Sequence, residues 1–210
     1  MFKLGLCSVT FRQLAVEQVI TLAHETGLQG IEWGGDIHVP VGDIKLAERT
    51  AALTRQADLE IVSYGSYYRL GERDESFNKV LETAVHLQAP AIRVWAGAKG
   101  SVEAGHQDRE KVNNDARKIA DMAKTYDIAI NIEYHGGTLT DTIGSAQQLM
   151  TDIDHPNVFL YWQPAVGETV KNRVHSISTL YKWLSHVHVF HWRERERFPF
   201  DDPFSHLLSF

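Results

Sequence analysis

Carboxylate, imidazole and amide side chains stand out in three apolar stretches of this 210-residue chain. They are Asn131-Ile132-Glu133-Tyr134-His135-Gly136-Gly137, Phe159-Leu160-Tyr161-Trp162-Gln163-Pro164 and His186-Val187-His188-Val189-Phe190-His191-Trp192. Apolar and aromatic runs of this kind read as strands. Successive side chains of a strand point to opposite faces, so Glu133 shares a face with Asn131 and His135, and His186 with His188. A carboxylate oxygen from Glu133 and an imidazole nitrogen from the His pair, delivered by nearby strands, suit one divalent cation: Mn²⁺, Co²⁺, Mg²⁺ or Zn²⁺. Gln163 can add an amide oxygen, a weaker ligand than a carboxylate. Plainer roles exist for the same residues. A buried Glu133 can pair with Arg93, because an unpaired buried carboxylate is costly, and an HxH pair can serve as structural hydrogen-bonding groups.

The elements that must position these residues alternate along the chain. Strand-like runs are expected at Lys3–Val9, Gly30–Trp33, Glu60–Tyr64, Ala91–Trp95, Ala129–Tyr134, Val158–Trp162 and His186–His191. Between them lie stretches of helical period, such as Val16, Val19, Ile20, Ala23 and Leu28, or Phe77, Val80, Leu81, Ala84 and Leu87. Gly27 closes the first of these, and Asp141-Thr142 opens the one running toward Met150. Strand starts at residues 3, 30, 60, 91, 129, 158 and 186 recur at about the length of one βα unit. That period implies a parallel sheet with helices outside it. No linker or low-complexity segment interrupts residues 1–210, which are expected to form one domain.

A closed sheet is favoured over an open one. The first strand is followed by Ser8-Val9-Thr10-Phe11-Arg12 rather than a glycine-rich phosphate turn. The polar residues instead gather at strand C-termini, where (β/α) barrels carry their chemistry. The expected fold is therefore an α/β TIM-type barrel with about seven βα units. Only 19 residues follow His191, including Asp201-Asp202 and the apolar Leu207-Leu208-Ser209-Phe210. They are too few for a further helix, an eighth strand and a closing helix, so the eighth strand is expected to be missing.

Composition narrows the function. The formal net charge is −6, and the one mixed run, Arg193 to Arg197, nearly cancels itself, which argues against nucleic-acid binding. The single cysteine, Cys7, precludes an intrachain disulfide and reads as a buried structural thiol. No run approaches a membrane span and the start lacks signal-peptide features, so a cytoplasmic protein is expected.

Jointly, Gly30-Ile31-Glu32-Trp33-Gly34-Gly35-Asp36-Ile37-His38, Ile92-Arg93-Val94-Trp95-Ala96-Gly97 and the three stretches above resemble the xylose-isomerase-like barrels, the sugar phosphate isomerases/epimerases. The resemblance runs from residue 3 to about 202. It implies one divalent metal held by a Glu ending strand five, an Asp ending strand six, a His on strand seven and a Glu on strand eight. Glu133 and His188 match the first and third. Gln163 stands where the Asp is usual, Val166 where a His follows it, and the strand-eight Glu has no counterpart. The implied activity is isomerisation or epimerisation of a sugar or sugar phosphate, by proton transfer next to a carbonyl through an enediolate, with Glu133 as ligand and base. Epimerases of this kind use a second carboxylate from strand eight.

His135 and Gln163, beside the presumed metal, are the expected substrate contacts. Trp33 and Trp95 could stack on a sugar face, although such aromatics are often core, and His38 and Arg93 could meet hydroxyls or a phosphate. Two other functions compete. An apurinic-endonuclease-type nuclease shares the barrel, but needs a His-rich zinc cluster and a basic rim. A shortened barrel could also bind a sugar or partner without catalysis. Open edges on strands one and seven would favour a homodimer.

Overall fold

The computed structural model describes residues 2–72, 77–165, 167–193 and 196–199. Val166, Asp201-Asp202 and the apolar end at Leu207–Phe210 lie outside the described residues. Seven strands form one parallel sheet in chain order: β1 Gly5–Cys7, β2 Gly30–Gly34, β3 Glu60–Arg69, β4 Ala91–Trp95, β5 Ala129–Glu133, β6 Val158–Trp162 and β7 Leu184–Val187. Six helices connect them: α1 Val16–Glu25, α2 Ile44–Gln56, α3 Phe77–Leu87, α4 His106–Lys124, α5 Ile143–Ile153 and α6 Val170–Leu180. A small antiparallel pair, β8 Trp192–Arg193 and β9 Glu196–Arg197, follows in the mixed-charge run. This is the α/β TIM-type barrel that the period implies, and among the described residues no eighth parallel strand joins β7 to β1.

Helix periodicity explains how the outer layer packs. Val16, Val19, Ile20 and Ala23 bury one face of α1, and Phe77, Val80, Leu81, Ala84 and Leu87 one face of α3. Local chemistry sets the helix ends: Thr142 accepts from Ser145 N at the start of α5, and Gly27 takes a φ of 71° just past α1.

Strand alternation then sorts the sheet into two faces. Ile31 and Trp33 of β2, Ile92 and Val94 of β4, and Ile130 and Ile132 of β5 are 0% exposed and join the hydrophobic core. The intervening residues Glu32, Arg93, Asn131 and Glu133 turn to the barrel interior, all buried. Parallel register lines some of them up across strands, pairing Arg93 with Asn131, Trp95 with Glu133 and Glu133 with Tyr161.

Three strands differ most from the sequence expectation, the first being β1, which is Gly5–Cys7 rather than 3–9 because Ser8–Phe11 turn into a short 3-10 helix. β7 runs over Leu184–Val187 rather than 186–191, so His188 lies one residue past its end; its N–H still donates to the Trp162 carbonyl at 2.8 Å. β3 runs on to Arg69, with its register against β4 shifted between Gly65 and Arg69 and Tyr67 at a φ of 59°. A bulge of this kind re-aims side chains beside a barrel mouth.

Candidate metal and substrate site

The barrel interior holds a chain of charges. Arg93, 3% exposed, donates through Nε to Glu32 Oε1 at 2.9 Å and through Nη1 to Glu133 Oε2. Trp95 Nε1–H donates to that same Glu133 oxygen. Burial works against the Glu32 carboxylate, but Arg93 and then His188 outweigh it and hold its pKa well below the usual range. Burial likewise opposes the Arg93 charge, and Glu32 and Glu133 overcome it. Both ends of this pair are therefore ionised.

His188 closes the chain. Its Nε2 lies 3.2 Å from Glu32 Oε2 and its Nδ1 3.8 Å from Glu133 Oε1. Tyr161 packs its ring against His188 at 4.3 Å and stacks on His186 at 4.7 Å. The two imidazoles thus share one side of the strand, as their spacing predicts.

The donor atoms can be tested against a divalent cation. Glu133 Oε2 is occupied by Arg93 and Trp95, whereas among the described residues Oε1 has His188 Nδ1 alone before it. Two bonds of about 2.1 Å to one ion reach across at most about 4.2 Å. A separation of 3.8 Å fits within that span, so one hard oxygen and one nitrogen are suitably placed. Another set of potential ligands, the trio Cys7 Sγ, Glu32 and His188, lies within 4.8 Å of one another. There the Cys7 thiol donates to Glu32 Oε1 at 3.4 Å, and burial, with the Glu32 charge, pushes its pKa up. A protonated thiol beside a guanidinium is a poor cation site.

Around this centre the mouth is aromatic and cationic. Trp95 stands between Tyr67, with ring centroids 5.4 Å apart, and His135, at 4.9 Å. The Arg69 guanidinium lies 4.1 Å over the Trp95 ring, and Arg12 donates to the Tyr67 hydroxyl at 2.8 Å. His135 Nδ1 bonds the Gly136 carbonyl at 2.7 Å and leaves Nε2 without a partner among the described residues.

Of the residues singled out from the sequence, Glu133, His188, His135 and Trp95 gather here. Gln163 is half-buried just past β6 and makes no hydrogen bond among the described residues. Three others are corrected by their surroundings. Trp33, 0% exposed, faces the helix layer and bonds Thr54 of α2 at 3.2 Å, because it alternates with the inward Glu32. His38 is buried against the edge of Trp33, with Nε2 3.1 Å from the Leu14 carbonyl. Arg93, 3% exposed, is committed to two carboxylates through Nε and Nη1.

Glu32 is the residue that sequence reasoning passed over, although a charge between Ile31 and Trp33 in a buried strand signals an inward polar contact. Tyr67 and Tyr161 were also missed. Tyr67 depends on a bulge, and Tyr161 sits in an apolar run that reads as core.

Residues 20–198 match the family described as xylose isomerase-like TIM barrel. The chain is 29% identical over 202 residues to a 3-dehydroshikimate dehydratase of Bacillus anthracis, covering 89% of this chain and 70% of that protein. The crystal structure of the "probable 3-DHS dehydratase" of petrobactin synthesis from the same organism superposes with a TM-score of 0.76 at 25% identity, over 90% of this chain and 73% of the other. The 3-keto-D-glucoside 4-epimerase of E. coli shares the fold, with a TM-score of 0.73 at 17% identity over 91% and 80% of the two chains. These relatives are enzymes. The parallel strands, the polar barrel interior and the matched residues agree, and the chain belongs to the xylose isomerase-like TIM-barrel family.

Proposed function

We propose that this chain abstracts a proton next to a carbonyl in a small polyhydroxylated substrate, a sugar, sugar phosphate or related cyclic polyol, with one divalent cation bound. The observation that carries this reading is the approach of Glu133 Oε1 to His188 Nδ1 at 3.8 Å, beside a mouth formed by Trp95 and His135. Glu133 and His188 would hold the ion, with Gln163 as a further oxygen donor at the same strand ends. Bound there, the ion supplies Lewis acidity for the negative charge that develops on the carbonyl oxygen.

The protein's own groups do the rest. Arg93 and Trp95 pin Oε2 of Glu133 and so aim Oε1, which would serve both as ligand and as proton acceptor. His135 presents an unpartnered Nε2 to substrate hydroxyls or to a proton in transit. Trp95, flanked by Tyr67, gives the sugar ring an apolar wall.

Two outcomes share this first step. Returning the proton to a neighbouring or inverted carbon gives isomerisation or epimerisation; expelling a hydroxyl from the next carbon as water gives dehydration. Epimerisation calls for carboxylates on both faces of the carbon. Among the described interior carboxylates, Glu32 is tied to Arg93, Ser63 and His188, which leaves Glu133 as the available base. That restriction, with the 29% identity to a dehydratase, favours dehydration as the second reading. We place the protein in the cytoplasm, acting as a homodimer.

Elemental analysis of purified protein should find stoichiometric divalent metal, and Glu133→Gln should lose both the metal and at least about 100-fold in activity. Incubating the protein in D₂O with keto sugars, and separately with 3-dehydroshikimate, tells isomerisation from dehydration by NMR of the products. Metal-free wild-type protein, inert even with added Mn²⁺, would defeat the proposal.

A further inference from the structure

Glu32 lies on β2, 156 residues before His188 in sequence, and is not among the ligands that the family resemblance implies. Its carboxylate is held on every side. Oε1 accepts from Arg93 Nε at 2.9 Å and from the Cys7 thiol at 3.4 Å. Oε2 accepts from Ser63 Oγ at 3.3 Å and lies 3.2 Å from His188 Nε2. A carboxylate so fixed at 3% exposure has almost no freedom to turn.

An imidazole has two nitrogens, and the one within hydrogen-bond reach of a carboxylate carries the proton; here that is Nε2 at 3.2 Å, because 3.8 Å is too long for Nδ1. Bonding to Glu32 therefore places N–H at Nε2 and the lone pair at Nδ1, which faces Glu133 Oε1 at 3.8 Å. Holding one nitrogen aims the other, since both belong to one rigid ring, and Tyr161 against the ring face restricts its tilt. Buried charge is consistent with this division of labour. Two carboxylates share one guanidinium, so the cluster carries a net negative charge that a cation held at Glu133 would offset.

We propose that Glu32 is the positioning residue of this site: it sets the tautomer and orientation of His188 so that Nδ1, and not Nε2, is offered to the cation. The role rests on the metal-dependent reading above. It makes Glu32 a hydrogen-bonding partner behind the ligand, an arrangement that tunes metal affinity in other proteins. The alternative, Glu32 as itself a ligand together with Cys7 and His188, would set a dication directly beside the Arg93 guanidinium.

The test uses the whole chain in three forms: wild type, Glu32→Gln and Glu32→Asp, with circular dichroism to establish folding. Long-range ¹H–¹⁵N spectra of the metal-free protein at mildly alkaline pH report the tautomer of each histidine, and His188→Asn identifies the His188 signals. Wild type should show Nε2–H at His188, and Glu32→Gln should shift it toward a mixture. Mn²⁺ titrations followed by EPR should give a Kd weakened by about 10–100-fold in Glu32→Gln, with partial recovery in Glu32→Asp. A merely structural role would lower stability and leave the tautomer alone. Nδ1–H at His188 in wild type, or unchanged Mn²⁺ affinity in folded Glu32→Gln, would overturn the positioning role while leaving the metal reading intact. So would a thiolate-to-cobalt charge-transfer band that vanishes in Cys7→Ser. Wild-type protein with the Nε2–H tautomer and no Mn²⁺ binding would sink the metal reading itself, and with it the purpose assigned to Glu32.

Discussion

Arg93 lies between two carboxylates and can balance the charge of only one. In water such an imbalance costs little; at 3% exposure it makes the residue indispensable to the fold. Arg93→Met leaves Glu32 and Glu133 buried without a cation and is expected to lower stability by about 3–5 kcal/mol, measured as a shift of the urea midpoint. Arg93→Lys keeps the charge but loses the fork that reaches both partners, and should recover only part of that loss. A substrate-binding Arg93 would behave differently, with KM rising and the midpoint unmoved.

At the scale of the element, strand β3 makes room for this pair. A Cβ on Gly65 would stand 2.7 Å from Arg93 Nη2 and 3.1 Å from Glu32 Oε1, so the glycine is there for space. The Arg93 tip is flexible in principle, but here both of its partners hold it. Gly65→Ala should therefore displace Arg93 and cost about 1–3 kcal/mol, together with weakened Mn²⁺ binding, read by calorimetry and EPR on the same samples. Unchanged stability and affinity would mean that the interior relaxes around a methyl group. Two residues further on, the bulge puts Tyr67 in the left-handed region, where a large side chain is strained. That conformation brings the Tyr67 ring under the Arg93 guanidinium, 5.5 Å away, and against Trp95.

The whole molecule presents two sheet edges. Among the described residues β1 pairs only with β2, and β7 only with β6. Apolar side chains stand exposed beside both edges: Phe2 and Leu4 before β1, and Val187 and Val189 at the end of β7. Unpaired backbone and exposed apolar surface together favour association. Light scattering of this chain at micromolar concentration should show a dimer, and combining Leu4→Lys with Val189→Lys should weaken dimerisation by tenfold or more. A monodisperse monomer for the unmodified chain would remove the homodimer from the proposal.

Period and alternation along the chain determined the α/β alternation of the barrel and the strand face on which Glu133 and His186 lie, because these follow from local backbone geometry. Several assignments needed the tertiary structure. Trp33 and Glu32 are neighbours in one strand, and only packing shows the aromatic ring against α2 and the carboxylate among charges in the interior. Arg93 could have met a substrate or a carboxylate until the fold placed Glu32 and Glu133 on either side of it. The contact between β2 and the residue after β7 spans most of the chain, and no local pattern records which distant side chains curvature will bring together.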